Sequence, residues 1–315
     1  MIHPVYISSF SREMLQFEDQ CGTGCLKNFN EALSIIRRRH LDTVPLMARA
    51  VMKLNNTALL TEGVNYTVQY FLNRLYTNRY KSLNKDTLYE KNNFIRISIH
   101  MLISHYAALC GQTKTVTGMV GTVDQECDLT QVARYNITLL IGNLHDHNIY
   151  RYAYEDAAQL CDTEYLSHPD LVITALDTTT KSDNVKCVYV PSHLHHIFFE
   201  IFKNSMRATN EFADERGLTE IPSIQCQIFK TVDDITIKVS DQGGGINRAT
   251  RGKIFEYMFT TAPKVELPHG GGSYGAGLEG RNLPMHGLGY GLPLSRLYAR
   301  YRKLDNLQGG LYFNL

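Results

Sequence analysis

The chain carries no excess of charge of either sign. Its 32 basic and 31 acidic side chains leave a formal net charge of +1 over 315 residues, so nothing favours electrostatic capture of nucleic acid. No apolar run approaches the roughly 18 residues that a bilayer span needs, and no membrane span is expected. A targeting signature is missing as well. The first twenty residues hold Glu13, Glu18 and Asp19 against the single arginine Arg12, whereas transit peptides are Arg-rich and poor in acids. The seven cysteines are scattered and odd in number, which argues against a closed disulfide framework. Cys21 and Cys25 form a lone C-x-x-x-C without the further ligand pair of a closed zinc site. A reducing compartment is expected.

Proline is nearly absent from the first half, which suits long helices. Apolar residues recur at Leu33, Ile36, Val44, Met47 and Val51 within Phe29–Leu54, and the style continues through Asn65–Leu75 and Ile95–Leu109. An antiparallel bundle of about four helices is expected over residues 1–167. After His168-Pro169 the pattern changes. Leu171–Ala175, Cys187–Val190, Ile224–Phe229 and Ile235–Val239 read as strands, the last two joined by a turn at Asp233-Asp234. In the last strand Ile235, Ile237 and Val239 alternate with Thr236, Lys238 and Ser240, which makes one face core and the other wet. A helix over Ser192–Phe212 separates the two strand groups. The fold class is therefore α+β, with a helical bundle over residues 1–167 followed by a sheet-and-helix layer over residues 168–315.

Three elements of the second half carry chemistry. On the helix, Leu194, Phe198, Ile201, Phe202, Ser205 and Thr209 share one face, and His196, Glu200, Lys203, Asn204 and Arg207 share the other. His196, Glu200 and Asn204 are spaced four apart and stack along one line. Taken alone, that polar face reads as solvated surface. The second element, Asp241-Gln242-Gly243-Gly244-Gly245, follows the alternating strand. Its glycines permit a positive φ or close approach to a ligand, and a carboxylate at the strand end can accept a hydrogen bond from an exocyclic amino group. The third is Gly287-Leu288-Gly289-Tyr290-Gly291-Leu292, with Pro293 opening a helix that includes Leu294, Leu297 and Tyr298. A glycine-rich loop at a helix N-terminus offers N–H groups and a positive dipole end to phosphate. Between the second and third elements, Ala262–His286 is rich in glycine and proline, in the manner of a lid.

The order E-x-x-x-N on a helix, D-x-G-x-G after a strand, lid, then G-x-G-x-G before a helix resembles the Bergerat nucleotide fold of gyrase-type ATPases and sensor histidine kinases. Three stretches are similar to pyruvate dehydrogenase kinases, with branched-chain α-keto acid dehydrogenase kinase a near relative: Val190–Thr209 (VPSHLHHIFFEIFKNSMRAT), Tyr257–Pro263 (YMFTTAP) and Gly287–Arg300. Arg38–Pro45 (RRHLDTVP) and Gln69–Arg79 extend the likeness into the first half. The resemblance implies an ATP- and Mg²⁺-dependent serine kinase. Glu200 would be its general base, His196 would tune that carboxylate, Asn204 would hold Mg²⁺, and Asp241 would read adenine. Helix residues Glu200, Ile201, Phe202, Lys203, Asn204, Ser205, Met206 and Arg207 would line the nucleotide pocket. Gly243, Gly245, Thr260, Thr261, Gly287, Leu288, Gly289, Tyr290, Gly291 and Leu292 would complete it.

It further implies an E1-type decarboxylase subunit as substrate, docking on a lipoyl domain of the dihydrolipoyl acyltransferase core, a homodimer, and the mitochondrial matrix. The chain departs from the family pattern by extra polar segments near 80–96 and 134–151. Past Tyr301 it ends in a short unrelated tail, which leads one to expect a sheet lacking strands and a bare edge. Two other functions remain open. His40, in His40-Leu41-Asp42, faintly resembles the phosphoacceptor box of a histidine autokinase, and the altered tail is compatible with a nucleotide-binding interaction protein without transfer activity.

Overall fold

A computed structural model describes residues 29–36, 66–70, 72, 78–79, 92–93, 95–111, 119–134, 153–232, 234–261, 289–301 and 311–314. The chain divides into two compact units, one formed by Met1–Ala107 with Val265–Asn282 and the other by Ala108–Lys264 with Leu283–Leu315.

The first unit contains helix α1 (residues 29–36), helical residues 66–70 (α2) and most of α3 (Ile95–Gly111). Leu33 and Ile36, three apart and so on one face of α1, are buried with Ile103 of α3. Phe29 meets Tyr106 edge-on at 5.2 Å. A short antiparallel pair, β1 (Asn78–Arg79) and β2 (Asn92–Asn93), brackets the first extra segment. Most of that segment, most of the one near 134–151, and Val44, Met47 and Val51 lie outside the described residues.

The second unit begins with a hairpin that the helical reading did not anticipate. Strands β3 (Met119–Val120) and β4 (Val123–Asp128) turn at Gly121, whose φ of 60° is the left-handed region that glycine enters without strain. Helices α4 (Leu129–Arg134) and α5 (Ala153–Tyr165) follow. Strands β5 (Leu171–Asp177) and β6 (Lys186–Tyr189) precede the long helix α6 (Pro191–Arg216). The antiparallel pair β7 (Ile224–Lys230) and β8 (Ile235–Ser240) comes next, then α7 (Gly291–Tyr301) and β9 (Leu311–Asn314).

These strands form a three-stranded sheet ordered β3-β4-β6 and a four-stranded sheet ordered β5-β7-β8-β9. In the larger sheet β5 pairs parallel to β7, and β9 parallel to β8 from Ile235↔Leu311 to Lys238↔Asn314. The tail thus supplies a strand on the very edge expected to be bare. A β8 left open would expose unpaired N–H and C=O groups, and β9 satisfies them.

The core lies between the larger sheet and helices α5 and α6. Phe198, Phe202, Leu194 and Ile197 of α6 pack with Ile224, Ile228 and Ile237 of the sheet, each at most 1% exposed. Small residues Ala153, Ala157 and Cys161 bring α5 close against α6 in the same core. This packing places α5 in the same compact unit as the larger sheet. Helix α6 ends in an αL cap at Gly217, where Leu218 N–H donates to Ala213 O at 2.9 Å. At the far end of β5, Lys230 Nζ lies 3.1 Å from Asp177 Oδ2 and donates to Lys186 O at 2.8 Å, which ties the two sheets together. Hydrogen bonds from Thr179, aided by Lys230, hold the Asp177 carboxyl below the ordinary aspartate range.

Candidate nucleotide site

Helix α6 sorts its two faces as the spacing predicts. Leu194, Phe198, Ile201, Phe202, Ser205 and Thr209 are all buried, and the Thr209 hydroxyl donates to Ser205 O at 2.8 Å. Met206 is buried beside them. Four of the expected pocket residues, Ile201, Phe202, Ser205 and Met206, therefore sit on the core side of the helix.

The opposite face is not the solvated surface it resembles in isolation, because α7 covers part of it. Lys203 Nζ lies 2.8 Å from Glu200 Oε2, with side chains only 9% and 13% exposed. Lys203 also sits 5.2 Å above the Phe199 ring. A Cβ at Gly291 would overlap the Glu200 carboxylate, 2.7 Å from its Cδ, so a larger residue there makes the carboxylate or the start of α7 shift. Burial pushes the Glu200 carboxyl upward, but the Lys203 ammonium and then His196 pull harder, and it ends below the ordinary glutamate range. His196, one turn away, is displaced downward by burial and by Lys203, against the pull of Glu200. The ring of Tyr298 lies 5.1 Å from the His196 ring. Glu200 is thus ionised and His196 neutral around pH 7.

Two loops approach this helix from either side. Asp241 stands exposed at the end of β8, its Oδ1 accepting from Gly243 N–H at 3.0 Å. Gly243 abuts α6, where a Cβ would come within 2.5 Å of the Ala208 Cβ and 2.6 Å of its backbone carbon. Gly245, with φ of 77°, has nothing within 4 Å of a Cβ position and fronts open space. On the other side Gly289, with φ of 74°, packs against Met258 and accepts its N–H at 2.9 Å. Tyr257 and Tyr290 face each other at 5.6 Å. Thr260 and Thr261 are exposed, and Arg207 Nη2 donates to Thr261 Oγ1 at 2.9 Å. Leu292 packs half-buried against the core. Gly287, Leu288 and Ala262–His286 lie outside the described residues.

The contacts order the site along one helix. The first loop touches α6 at Ala208 and the start of α7 touches it at Glu200. Residues four apart on a helix are separated by about 6 Å, so Asn204 stands midway, about one turn from each contact. Among the described residues no group of three or more His, Cys, Asp or Glu could hold a metal ion. A single amide oxygen instead suits Mg²⁺, which keeps waters and shares phosphate oxygens. What the sequence reading missed is the role of α7 as a cover. Its signal was the spacing of Gly291, Ser295 and Tyr298, four and then three apart and so on one face.

Residues 1–81 match the family described as mitochondrial branched-chain alpha-ketoacid dehydrogenase kinase. Residues 189–307 match the histidine kinase-, DNA gyrase B-, and HSP90-like ATPase family. Mitochondrial pyruvate dehydrogenase (acetyl-transferring) kinase isozyme 1 of Mus musculus is 32% identical over 317 residues, covering 98% of this chain and 62% of the relative. Over the matched residues the chain is similar to the pyruvate and branched-chain α-keto acid dehydrogenase kinases. The Drosophila melanogaster mitochondrial pyruvate dehydrogenase kinase is 36% identical over 301 residues, with 94% of this chain and 62% of the relative covered. Isozyme 3 of Homo sapiens is 33% identical over 309 residues, with 97% and 65% covered. The chain spans a little over three fifths of the length of these relatives, from 62% to 65%. Helix α6, the Asp241–Gly245 loop and the start of α7 all lie in the part that matches the ATPase family.

Proposed function

We propose that this chain is an ATP- and Mg²⁺-dependent protein serine kinase that phosphorylates, and so inactivates, the E1-type decarboxylase subunit of an α-keto acid dehydrogenase complex. The observation that carries the reading is the position of Asn204 between two glycine loops on α6, one turn from an ionised Glu200. Support comes also from the match of residues 189–307 to an ATPase family and from relatives named as pyruvate dehydrogenase kinases.

In this reading residues 168–315 form the kinase domain. Asp241 accepts a hydrogen bond from the adenine amino group, while Gly243 and Gly245 let the backbone approach the base. Gly287, Leu288, Gly289, Tyr290, Gly291 and Leu292 bring N–H groups and the N-terminus of α7 to the phosphates, with Thr260 and Thr261 alongside. Asn204 offers its amide oxygen to Mg²⁺. Bound Mg-ATP supplies the phosphoryl group and neutralises developing charge. Glu200 accepts the proton of the substrate serine hydroxyl, Lys203 keeps that carboxylate ionised at neutral pH, and His196 stays neutral beside it. A carboxylate paired to an ammonium is a weak base. Phosphoryl transfer tolerates this because it depends mostly on positioning and charge neutralisation.

By likeness to its relatives, the helical part over residues 1–167 docks on a lipoyl domain of the dihydrolipoyl acyltransferase core. The chain pairs as a homodimer in the mitochondrial matrix, with neither nucleic acid nor membrane as a partner. The test is incubation of the purified chain with labelled ATP and dehydrogenase complex. Acid-stable phosphate on an E1 serine is the expected result. Acid-labile phosphate on the chain itself would make it a histidine autokinase, and His40, outside the described residues, would be its candidate acceptor. Nucleotide binding without transfer would make it an interaction protein.

A further inference from the structure

Helices α6 and α7 run antiparallel where they meet. Gly291, at the start of α7, lies against Glu200. Tyr298, two turns later, lies 5.1 Å from the His196 ring and 4.5 Å from the His193 ring. Gly291, Ser295 and Tyr298 fall within about 60° of one another around the α7 axis at 100° per residue. Ser295 therefore faces α6 between the two contacts, over the step from Glu200 to His196. It is 4% exposed, and its Oγ has no hydrogen-bond partner among the described residues. His196 Nε2 is likewise enclosed and without a partner among them. Two enclosed polar atoms at one level of one helix interface each carry a desolvation cost that a shared hydrogen bond would remove.

We propose that Ser295 is a positioning residue for the His196–Glu200 pair, its hydroxyl donating towards His196 Nε2 through one enclosed water. His196 Nε2 is enclosed and has no acceptor among the described residues, so a ring proton placed there would be left unpaired, and Nδ1 carries it at lower cost. Nε2 is then an acceptor, and a hydroxyl is the donor it needs. The ring so held keeps one orientation and one tautomer beside the carboxylate. The charged and titratable groups around it are Glu200, Lys203 and His195 on α6 and Tyr298 on α7. From α5, Asp156 Oδ2 is engaged with His195 Nε2 at 3.2 Å.

The importance of the pair for phosphate transfer rests on the kinase reading, whereas the hydrogen bond itself does not. The test is nitrogen NMR of ¹⁵N-histidine-labelled chain, with His196 assigned by its loss in His196→Gln. In the intact chain His196 is expected as the Nδ1–H tautomer, the minor neutral form of free histidine in water. In Ser295→Ala the Nε2 signal is expected to move and the ring to shift towards the Nε2–H form. Alanine is smaller and favours helix, so the melting temperature should hold. Ser295→Thr, which keeps the hydroxyl, should retain the parent signal. An Nε2–H ring in the intact chain, or a His196 signal indifferent to Ser295→Ala, overturns the proposal. If the chain also transfers phosphate, Ser295→Ala should lower kcat about fivefold with KM for ATP unchanged. Absence of transfer in every variant would count against the kinase reading and leave the NMR result to decide this one.

Discussion

Asp241 and Glu200 are both carboxylates of the site, but they live in different surroundings. Asp241 is exposed at a strand end with one oxygen engaged by Gly243 N–H. Glu200 is enclosed, paired at 2.8 Å and covered by Gly291. In the proposed roles, Asp241→Asn turns an acceptor for the adenine amino group into a partly donating amide. Such a mispairing costs about 1–3 kcal/mol, or roughly fivefold to 150-fold in ATP affinity. Glu200→Gln removes a group that meets the substrate hydroxyl, so affinity should stay within about twofold while transfer is lost. Calorimetric titration of the two variants separates them, and equal affinities would remove Asp241 from the adenine site.

Lys203 gives a second residue-scale test. It is the main downward influence on the Glu200 carboxyl, set against burial. A carboxyl held below its ordinary value stabilises the fold above about pH 4.3, and that contribution is lost as pH falls through the folded value. Lys203→Met leaves a buried carboxylate without its cation, a change that typically costs about 3–5 kcal/mol. Burial then pushes the carboxyl up, so Glu200 takes a proton more readily. The deficit in stability should be largest at pH 8 and shrink markedly at pH 5. Denaturant melts at both values check this, and equal deficits would mean that Lys203 stabilises by packing alone.

At the scale of elements, the approach of α7 to α6 depends on one missing side chain. Gly291→Ala would drive a methyl into the Glu200 carboxylate, so α7 must back away or Glu200 must leave its rotamer. A loss of about 2 kcal/mol in stability, typical of overpacking, and more than tenfold in transfer is expected. Gly252→Ala, which meets nothing within 4 Å, should change neither. Comparable melting of the two variants would show that the contact is not tight.

The same interface marks what a sequence can and cannot tell. Strands β5, β6, β7 and β8 and helix α6 were legible because apolar alternation and helical spacing are local signals. All six residues assigned to the core face of α6 are buried, and Ile197, Met206 and Ala213 join them. Its polar face looked solvated because periodicity cannot reveal that another helix, 75 residues further on from Arg216 to Gly291, packs against it. The β3–β4 hairpin was missed within a helical reading, although Gly121 between Val120 and Thr122 marks its turn. Strand β9 was missed because a four-residue pairing takes its stability from its neighbour β8 more than from its own composition.

For the whole molecule, a strand on the outer side of β8 leaves the unit's larger sheet with four strands and its core with a floor. Asp241 follows the last residue of β8 directly, so the pairing of β8 on both sides, with β7 and β9, fixes the strand from which the first loop departs. The likeness of residues 189–307 to an ATPase family, the two glycine loops and the helix between them support the proposal's central claim, that Asn204 stands at the centre of a Mg-ATP site. Calorimetric ATP titration with Mg²⁺ and with EDTA, on the parent chain and on Asn204→Ala, addresses that claim most directly. The account predicts that Mg²⁺ tightens binding in the parent by at least tenfold, and that Asn204→Ala abolishes the gain while the fold melts as before. ATP affinity that is equal in the two chains and indifferent to Mg²⁺, or no binding by the parent, would contradict it.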